Sequence, residues 1–301
     1  MNFISQKIIR ALHHSRMRIP VVSSYASSKF ISYRYASELA LMRGKVSRVS
    51  QKNSIAFFTI HKAASVFAGS VLRRMAKLSG YECIHYEACA FAGGKLPYRY
   101  DLRGDWSENI YPSKGYFFGP FRGYHNAIPW LNNGSIVLHL RDPRDVLVSL
   151  YYSLRYSHSI PNSNKNVALN MRSTREAISL IDINEFVLEE APRIKKVYLD
   201  YLKGFENLNS VWISKYEEMI GDFAGWLLKA CRFLEVENPA KMVETLKGMQ
   251  SLEVSENKNN HKRQVTPGDN LRKLNADTIY KLDMVLKDVL INSGYSLNNR
   301  K

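Results

Sequence analysis

A three-layer α/β domain, with a mostly parallel central sheet flanked by helices, is the fold this 301-residue sequence predicts. Three observations predict it. Short apolar runs at 54–60 (SIAFFTI), 135–140 (SIVLHL) and 210–215 (SVWISK) are too continuous for strands with one face in water, so both of their faces must be covered. Each run gives way to a segment of helical spacing, the alternation that builds parallel sheets. Composition agrees: 45% apolar and 23% charged residues suit a packed core and exclude general disorder.

The elements follow in order. After the first strand, 66–77 shifts to helical spacing and stops near Gly80. Residues 81–86 read as a second strand, 88–114 as a long loop region rich in Gly, Pro and Tyr, and 115–119 as a short aromatic strand. Pro143 opens a helix over 143–155 at a position where its missing N–H costs nothing, and the apolar faces of that helix predict burial. Residues 158–173 read as a polar loop. A helix over 183–205 is expected to bend or break at Pro192. Single helices are expected over 216–234, 239–252 and 276–292. The last carries Ile279, Leu282, Leu286 and Val289 on one stripe.

Charge is uneven. Residues 1–50 hold nine Lys/Arg against Glu38 alone, which is half of the net excess of +16. We divide the chain into this basic N-terminal extension, 1–50, helical or partly disordered, and one domain, 51–301. Three readings are open for the extension: a basic amphipathic arm in peripheral contact with an anionic membrane, a targeting segment, or a helix packed on the domain. Charges interrupt every apolar stretch, so a secretory signal and a transmembrane helix are not expected, and the expected location is cytoplasmic. Cys83, Cys89 and Cys231 are too few and wrongly spaced for a disulfide scaffold or zinc site, and no metal is expected. No nucleic-acid-binding signature appears, so no specific nucleic-acid partner is expected.

Three segments carry chemistry. The first is the loop between the first strand and its helix, His61-Lys62-Ala63-Ala64-Ser65-Val66-Phe67. Such a loop presents backbone N–H groups and a helix dipole to an anion, with Lys62 adding a point charge and Ser65 a hydroxyl. It is not an ATP-type phosphate loop. A lysine in such a loop is equally at home as a solvated surface residue. The second segment runs from Arg141 through Asp142, Pro143, Arg144, Asp145 and Ser149 to Tyr151 and Tyr152. Arg141 and Ser149 suit a tetrahedral oxyanion; alternatively, the arginines pair with Asp142 or Asp145 to cap the helix. The third is the basic turn from His261 to Asp269.

Together these segments resemble the sulfotransferases that use 3′-phosphoadenosine-5′-phosphosulfate (PAPS) and release the 3′,5′-bisphosphate PAP. Lys62, Ser65 and Phe67 fall on that family's loop P-K-[ST]-G-T-[TS]-W, while His61, Ala63, Ala64 and Val66 differ. Residues 141–152 match R-[ND]-P-[KR]-D-V-x-V-S-x-Y-Y nearly throughout. Arg263, Gly268 and Asp269 fall on R-K-G-x-x-G-D-W, while Gln264, Val265 and Asn270 differ. Residues 215–219 resemble its Y-E-D-M stretch.

The resemblance implies a P-loop-containing, sulfotransferase-like fold over about 54–293 and sulfuryl transfer to a hydroxyl or amine. In that reading Lys62 stabilises the leaving oxygen and the backbone of 63–67 (Ala63, Ala64, Ser65, Val66, Phe67) holds the 5′-phosphate. Arg141, Ser149 and Arg263, with Gln264 beside it, hold the 3′-phosphate, and Phe67 and Tyr216 meet adenine. The histidine such enzymes carry after the third strand is missing, so His125 is taken as the base, with His85 as second candidate. The acceptor is a small molecule, lipid or carbohydrate. A P-loop kinase and an inactive nucleotide-binding relative with a basic binding arm are the alternatives.

Overall fold

The structure, a computed structural model, describes residues 32–46, 50–92, 110–124, 126–157, 173–250 and 265–298. These fall into two units: one comprises residues 32–142 and 196–250, the other 143–157, 173–195 and 265–298.

The first unit holds the whole sheet. Its strands are β1 (Ile55–Thr59), β2 (Glu82–Ile84), β3 (Tyr116–Phe121), β4 (Ser135–Leu140) and β5 (Val211–Lys215). They lie in the order β2-β3-β1-β4-β5, and every pairing is parallel. β1 is therefore central, which explains why its side chains are buried on both faces. Ile55, Phe57, Phe117 and Val137 share one face with the helices Ser65–Leu78, Phe223–Phe233 and Pro239–Leu246, around Leu72, Met75, Trp226 and Leu227. On the other face Phe58 packs against Phe121, Tyr201 and Phe205. Truncating Phe57 to alanine would cost about 3–5 kcal/mol in such a core.

Where β3 leaves its register with β1, Gly119 has φ +118°, and a Cβ there would sit 2.4 Å from the Phe57 carbonyl oxygen. Only glycine tolerates both the backbone geometry and that approach.

Helix boundaries depart from expectation in several places. The stretch 216–234 is two helices, Tyr216–Gly221 and Phe223–Phe233, because Asp222 caps the second by accepting from the Gly225 N–H. The last helix is likewise two, Ala276–Val285 and Lys287–Asn292, with Leu286 between them. The segment from Pro239 is α-helical only to Leu246, then 3₁₀ over Lys247–Met249. Pro192 does not break Ile183–Phe205, a single 23-residue helix. Burial of its apolar stripe, including Phe186, Val187, Tyr198 and Tyr201, outweighs the lost backbone bond. Part of the expected loop 88–114 is also helical (Tyr86–Phe91), and 158–172 lies outside the described residues.

Of the basic N-terminal extension, residues 1–31 and 47–49 lie outside the described residues. The helix Ala36–Met42 buries Glu38 and Leu41. Glu38 accepts from the His85 backbone N–H at 2.8 Å, and burial raises its carboxyl above the usual range.

The second unit is helical. Its helix Pro143–Tyr152 buries residues 143–148, as its apolar faces predict, and passes into a π-helical turn at Ser153–Ser157. Arg144 and Asp283 form a buried ion pair at 2.6 Å. Leu282, Leu286 and Val289 of the expected stripe are fully buried.

Candidate functional site

The turn after β1 is built from two left-handed residues, Lys62 (φ 69°) and Ala64 (φ 53°). Neither is glycine, and a left-handed L-residue costs roughly 1–2 kcal/mol, so the surroundings must hold the turn. They do so through its carbonyls. Arg141, at the end of β4, donates from Nη1 to the Lys62 carbonyl at 3.1 Å. His139, two residues earlier on β4, lies 2.9 Å from the Ala63 carbonyl through Nε2. Ala63 is fully buried, Lys62 half-buried. The helix then starts at Ser65, so its first N–H groups emerge at the turn.

Arg141 is only 4% exposed, and its guanidinium lies 4.4 Å from the centre of the Tyr216 ring. Its carbonyl accepts from the Tyr198 hydroxyl, and the following N–H, that of Asp142, donates to Glu217 at 2.9 Å. The neighbouring strand ends are closed by Tyr201, whose hydroxyl donates to the Thr59 carbonyl at 2.7 Å. Lys62, Arg141 and Tyr216, named separately from sequence, are thus joined in one cluster. The Phe67 ring packs at 5.8 Å against that of Phe223 in a tilted arrangement, and Val66 is exposed. Such a concentration of cationic side chains and helix-start N–H groups can hold an anion.

On its other side the loop meets Arg122, which follows β3. Its Nε donates to Ser65 Oγ at 3.1 Å, and its Nη1 and backbone N–H donate to the two carboxylate oxygens of Glu87 at 2.9 and 2.8 Å. Sequence reading passed over Arg122 and His139. A histidine inside the apolar run SIVLHL was the signal for the second.

Ser149 lies in the helical unit, half-buried on Pro143–Tyr152. In the same unit Asp145, fully buried, accepts from the Gly268 N–H, the Asn270 N–H and the Asn270 side-chain amide at 2.7–2.8 Å. This fixes the turn at Pro267-Gly268, where Gly268 has φ +81° and precedes the helix Asp269–Lys273. Arg144 reaches Asp283. Both residues of the second segment therefore do structural work beyond the helix start. Arg263, Gln264 and His125 lie outside the described residues.

His85, the second candidate base, is pushed down to about 3, first by burial and then by Arg73 and Arg122. So weak a base is poorly matched to taking a hydroxyl proton near neutrality. Burial likewise pushes the Cys83 thiol up to about 12, and Cys83, Cys89 and Cys231 are free. Among the described residues no group of three or more His, Cys, Asp or Glu is placed to hold a metal, and no helix is long and apolar enough to cross a membrane.

Residues 125–290 match the sulfotransferase domain family. The chain belongs to that family. Mouse sulfotransferase SULT7A1 complexed with PAP superposes on this sulfotransferase-family chain with a TM-score of 0.52 at 17% identity, over 84% of this chain and 90% of that one, and so shares its fold. Retinol dehydratase in a complex with retinol and PAP gives 0.45 at 13% identity over 100% and 97%. The same enzyme with androsterone and PAP gives 0.46 at 12% identity over 89% and 87%. No curated protein sequence matches the chain.

The histidines predict an acid sensitivity. Burial holds His139 at about 4 and His85 at about 3, against 6.5 in the unfolded chain. The unfolded chain therefore binds more protons at mildly acid pH. Their contribution to stability is complete above pH 6.5 and is lost as pH falls from there toward 4. Thermal unfolding should show a falling Tm across this window. The pH slope of unfolding free energy should be smaller by about one proton in His139→Gln. A slope unchanged by that substitution contradicts the assignment.

Proposed function

We propose that this chain transfers the sulfuryl group of PAPS to a hydroxyl or amine of a small-molecule, lipid or carbohydrate acceptor, releasing PAP. The observation that carries the reading is the cluster in which Arg141 bonds the carbonyl of Lys62 and lies over Tyr216, on a chain of the sulfotransferase family. Its cations and helix-start N–H groups fit a polyphosphorylated ligand.

PAPS supplies an activated sulfuryl group on a mixed anhydride; the protein's work is positioning and charge stabilisation. Lys62 neutralises charge on the oxygen that leaves the sulfur. The N–H groups of Ala63, Ala64, Ser65, Val66 and Phe67 hold the 5′-phosphate. Arg141, Ser149 and Arg263 hold the 3′-phosphate, which ATP lacks and which therefore sets nucleotide choice, and Gln264 is a further cofactor-binding residue. Phe67 and Tyr216 flank the adenine, and His125 takes the acceptor proton. No metal takes part in this scheme, residues 51–301 form its catalytic domain, and a peripheral membrane contact is one of three roles open to the basic segment 1–50 of a cytoplasmic enzyme.

Thermal shift with PAP and with ADP–Mg²⁺ separates this from a kinase. At a hundredfold excess over Kd, PAP should stabilise the protein by about 2.7 kcal/mol, a rise in Tm of roughly 4–5 °C for a chain of this size. ADP–Mg²⁺ should give far less, and the reverse order would favour the kinase. Labelled PAPS with a panel of phenols, sterols, sugars and lipids then identifies the acceptor. Labelled product with none of them would favour an inactive relative.

A further inference from the structure

A buried chain of hydrogen bonds ends on the turn after β1, and its direction can be worked out atom by atom. Trp226 Nε1 can only donate, and it lies 2.7 Å from Ser214 Oγ, so Ser214 accepts there. The Ala63 carbonyl can only accept, and it lies 2.9 Å from His139 Nε2, so Nε2 carries the proton. Nδ1 is then the bare nitrogen, and Ser214 donates to it at 2.8 Å. Ser214 and His139 are 0% exposed and Trp226 1%, and the imidazole is otherwise ringed by Phe57 and Trp226. The imidazole stays neutral because burial holds it at about 4.

The consequence falls on the loop. The Ala63–Ala64 peptide is planar and trans, so its carbonyl and its N–H point in opposite directions. Because the Ala63 carbonyl points at His139, the Ala64 N–H points away from it, to the opposite edge of the peptide plane, just before the helix that starts at Ser65. The left-handed φ of Ala64 needs such an anchor, since nothing in its side chain favours it. We propose that His139 is a positioning residue: held by Ser214 and Trp226, it orients the Ala63–Ala64 peptide so that the Ala64 N–H donates to the 5′-phosphate of the nucleotide. This rests on the reading of the loop as a PAP site.

The test measures PAP binding by calorimetry for the wild type, His139→Leu and His139→Gln, with Tm recorded for each. Glutamine can still donate to the Ala63 carbonyl; leucine, of similar size, cannot. The expected result is an affinity at least tenfold weaker for His139→Leu and within threefold of wild type for His139→Gln. The Ala64 amide resonance should shift on PAP addition in the wild type and in His139→Gln. A folded His139→Leu that binds within threefold of wild type overturns the proposal, as does a folded glutamine variant no better than leucine. Should His139→Leu not fold, the imidazole tautomer of the wild type decides, read by nitrogen-15 NMR between pH 5.5 and 8. A protonated Nε2 with bare Nδ1 supports the proposal, and a protonated Nδ1 overturns it. A wild-type protein that binds no PAP refutes the nucleotide reading instead, a result distinct from any of these.

Discussion

Lys62→Ala should reduce kcat for sulfuryl transfer by about 10²–10³-fold, the range seen when one preorganised donor to a developing negative charge is removed. PAP affinity should change much less. The reason lies in how the turn is held. Lys62 has a left-handed φ of 69°, and its carbonyl is bonded by Arg141 while the next carbonyl is bonded by His139. Those anchors act on main-chain atoms and survive the substitution, and alanine is already tolerated in the left-handed region at position 64. The backbone donors of 63–67 therefore stay in place while the ammonium is lost. Charge on the departing oxygen grows only as the bond to sulfur breaks, so the loss appears in kcat rather than in ground-state binding. Lys62→Arg should recover part of the rate, since it restores charge but not a compact point donor. If Lys62→Ala retained more than a tenth of wild-type kcat, the role assigned to Lys62 would be wrong.

Arg144→Ala should destabilise the chain by about 3–5 kcal/mol, the cost of leaving one member of a buried ion pair without the other. The Arg144 and Asp283 side chains are 5% and 7% exposed, and they meet at 2.6 Å. Each also binds the C-terminal segment: Arg144 Nη2 donates to the Ser296 carbonyl at 3.0 Å, and Asp283 Oδ2 accepts from the Asn298 N–H at 2.7 Å. Removing the guanidinium leaves a buried carboxylate with one backbone donor. Replacing both residues, Arg144→Met with Asp283→Leu, should recover much of the loss, because no charge is then left buried. Urea unfolding of the single and double variants measures this. A single variant within 1 kcal/mol of wild type would mean that the pair is not buried as described.

The comparison of sequence with structure has a physical pattern. β1 and β4 were readable to within a residue because strands covered on both faces are written as unbroken apolar runs. Lys62 and Arg141 stood out as charged residues at strand–helix junctions, Tyr216 only through its resemblance to Y-E-D-M, and the structure brings the three into contact. The breaks at Asp222 and Leu286 were not, because apolar periodicity continues across them and only a side-chain cap or a tertiary contact ends the helix. Arg144 sits in the most specific motif, yet its partner Asp283 is 139 residues away, a distance over which no local pattern reports. His139 was hidden in the opposite way. Its polarity is satisfied by Ser214 and Ala63, each distant in sequence, so it could be read only as an anomaly within a buried strand.

The central claim is that the turn after β1 and the end of β4 together grip an adenosine bearing phosphates at both 3′ and 5′ positions. Calorimetric titration of PAP and ADP into the wild type and Arg141→Leu tests it most directly. The account predicts that the wild type prefers PAP over ADP by at least about tenfold. It also predicts that Arg141→Leu loses most of that preference, in keeping with the loss of a charge-assisted hydrogen bond. A wild type that binds PAP no more tightly than ADP, or an Arg141→Leu variant with its preference intact, would contradict it.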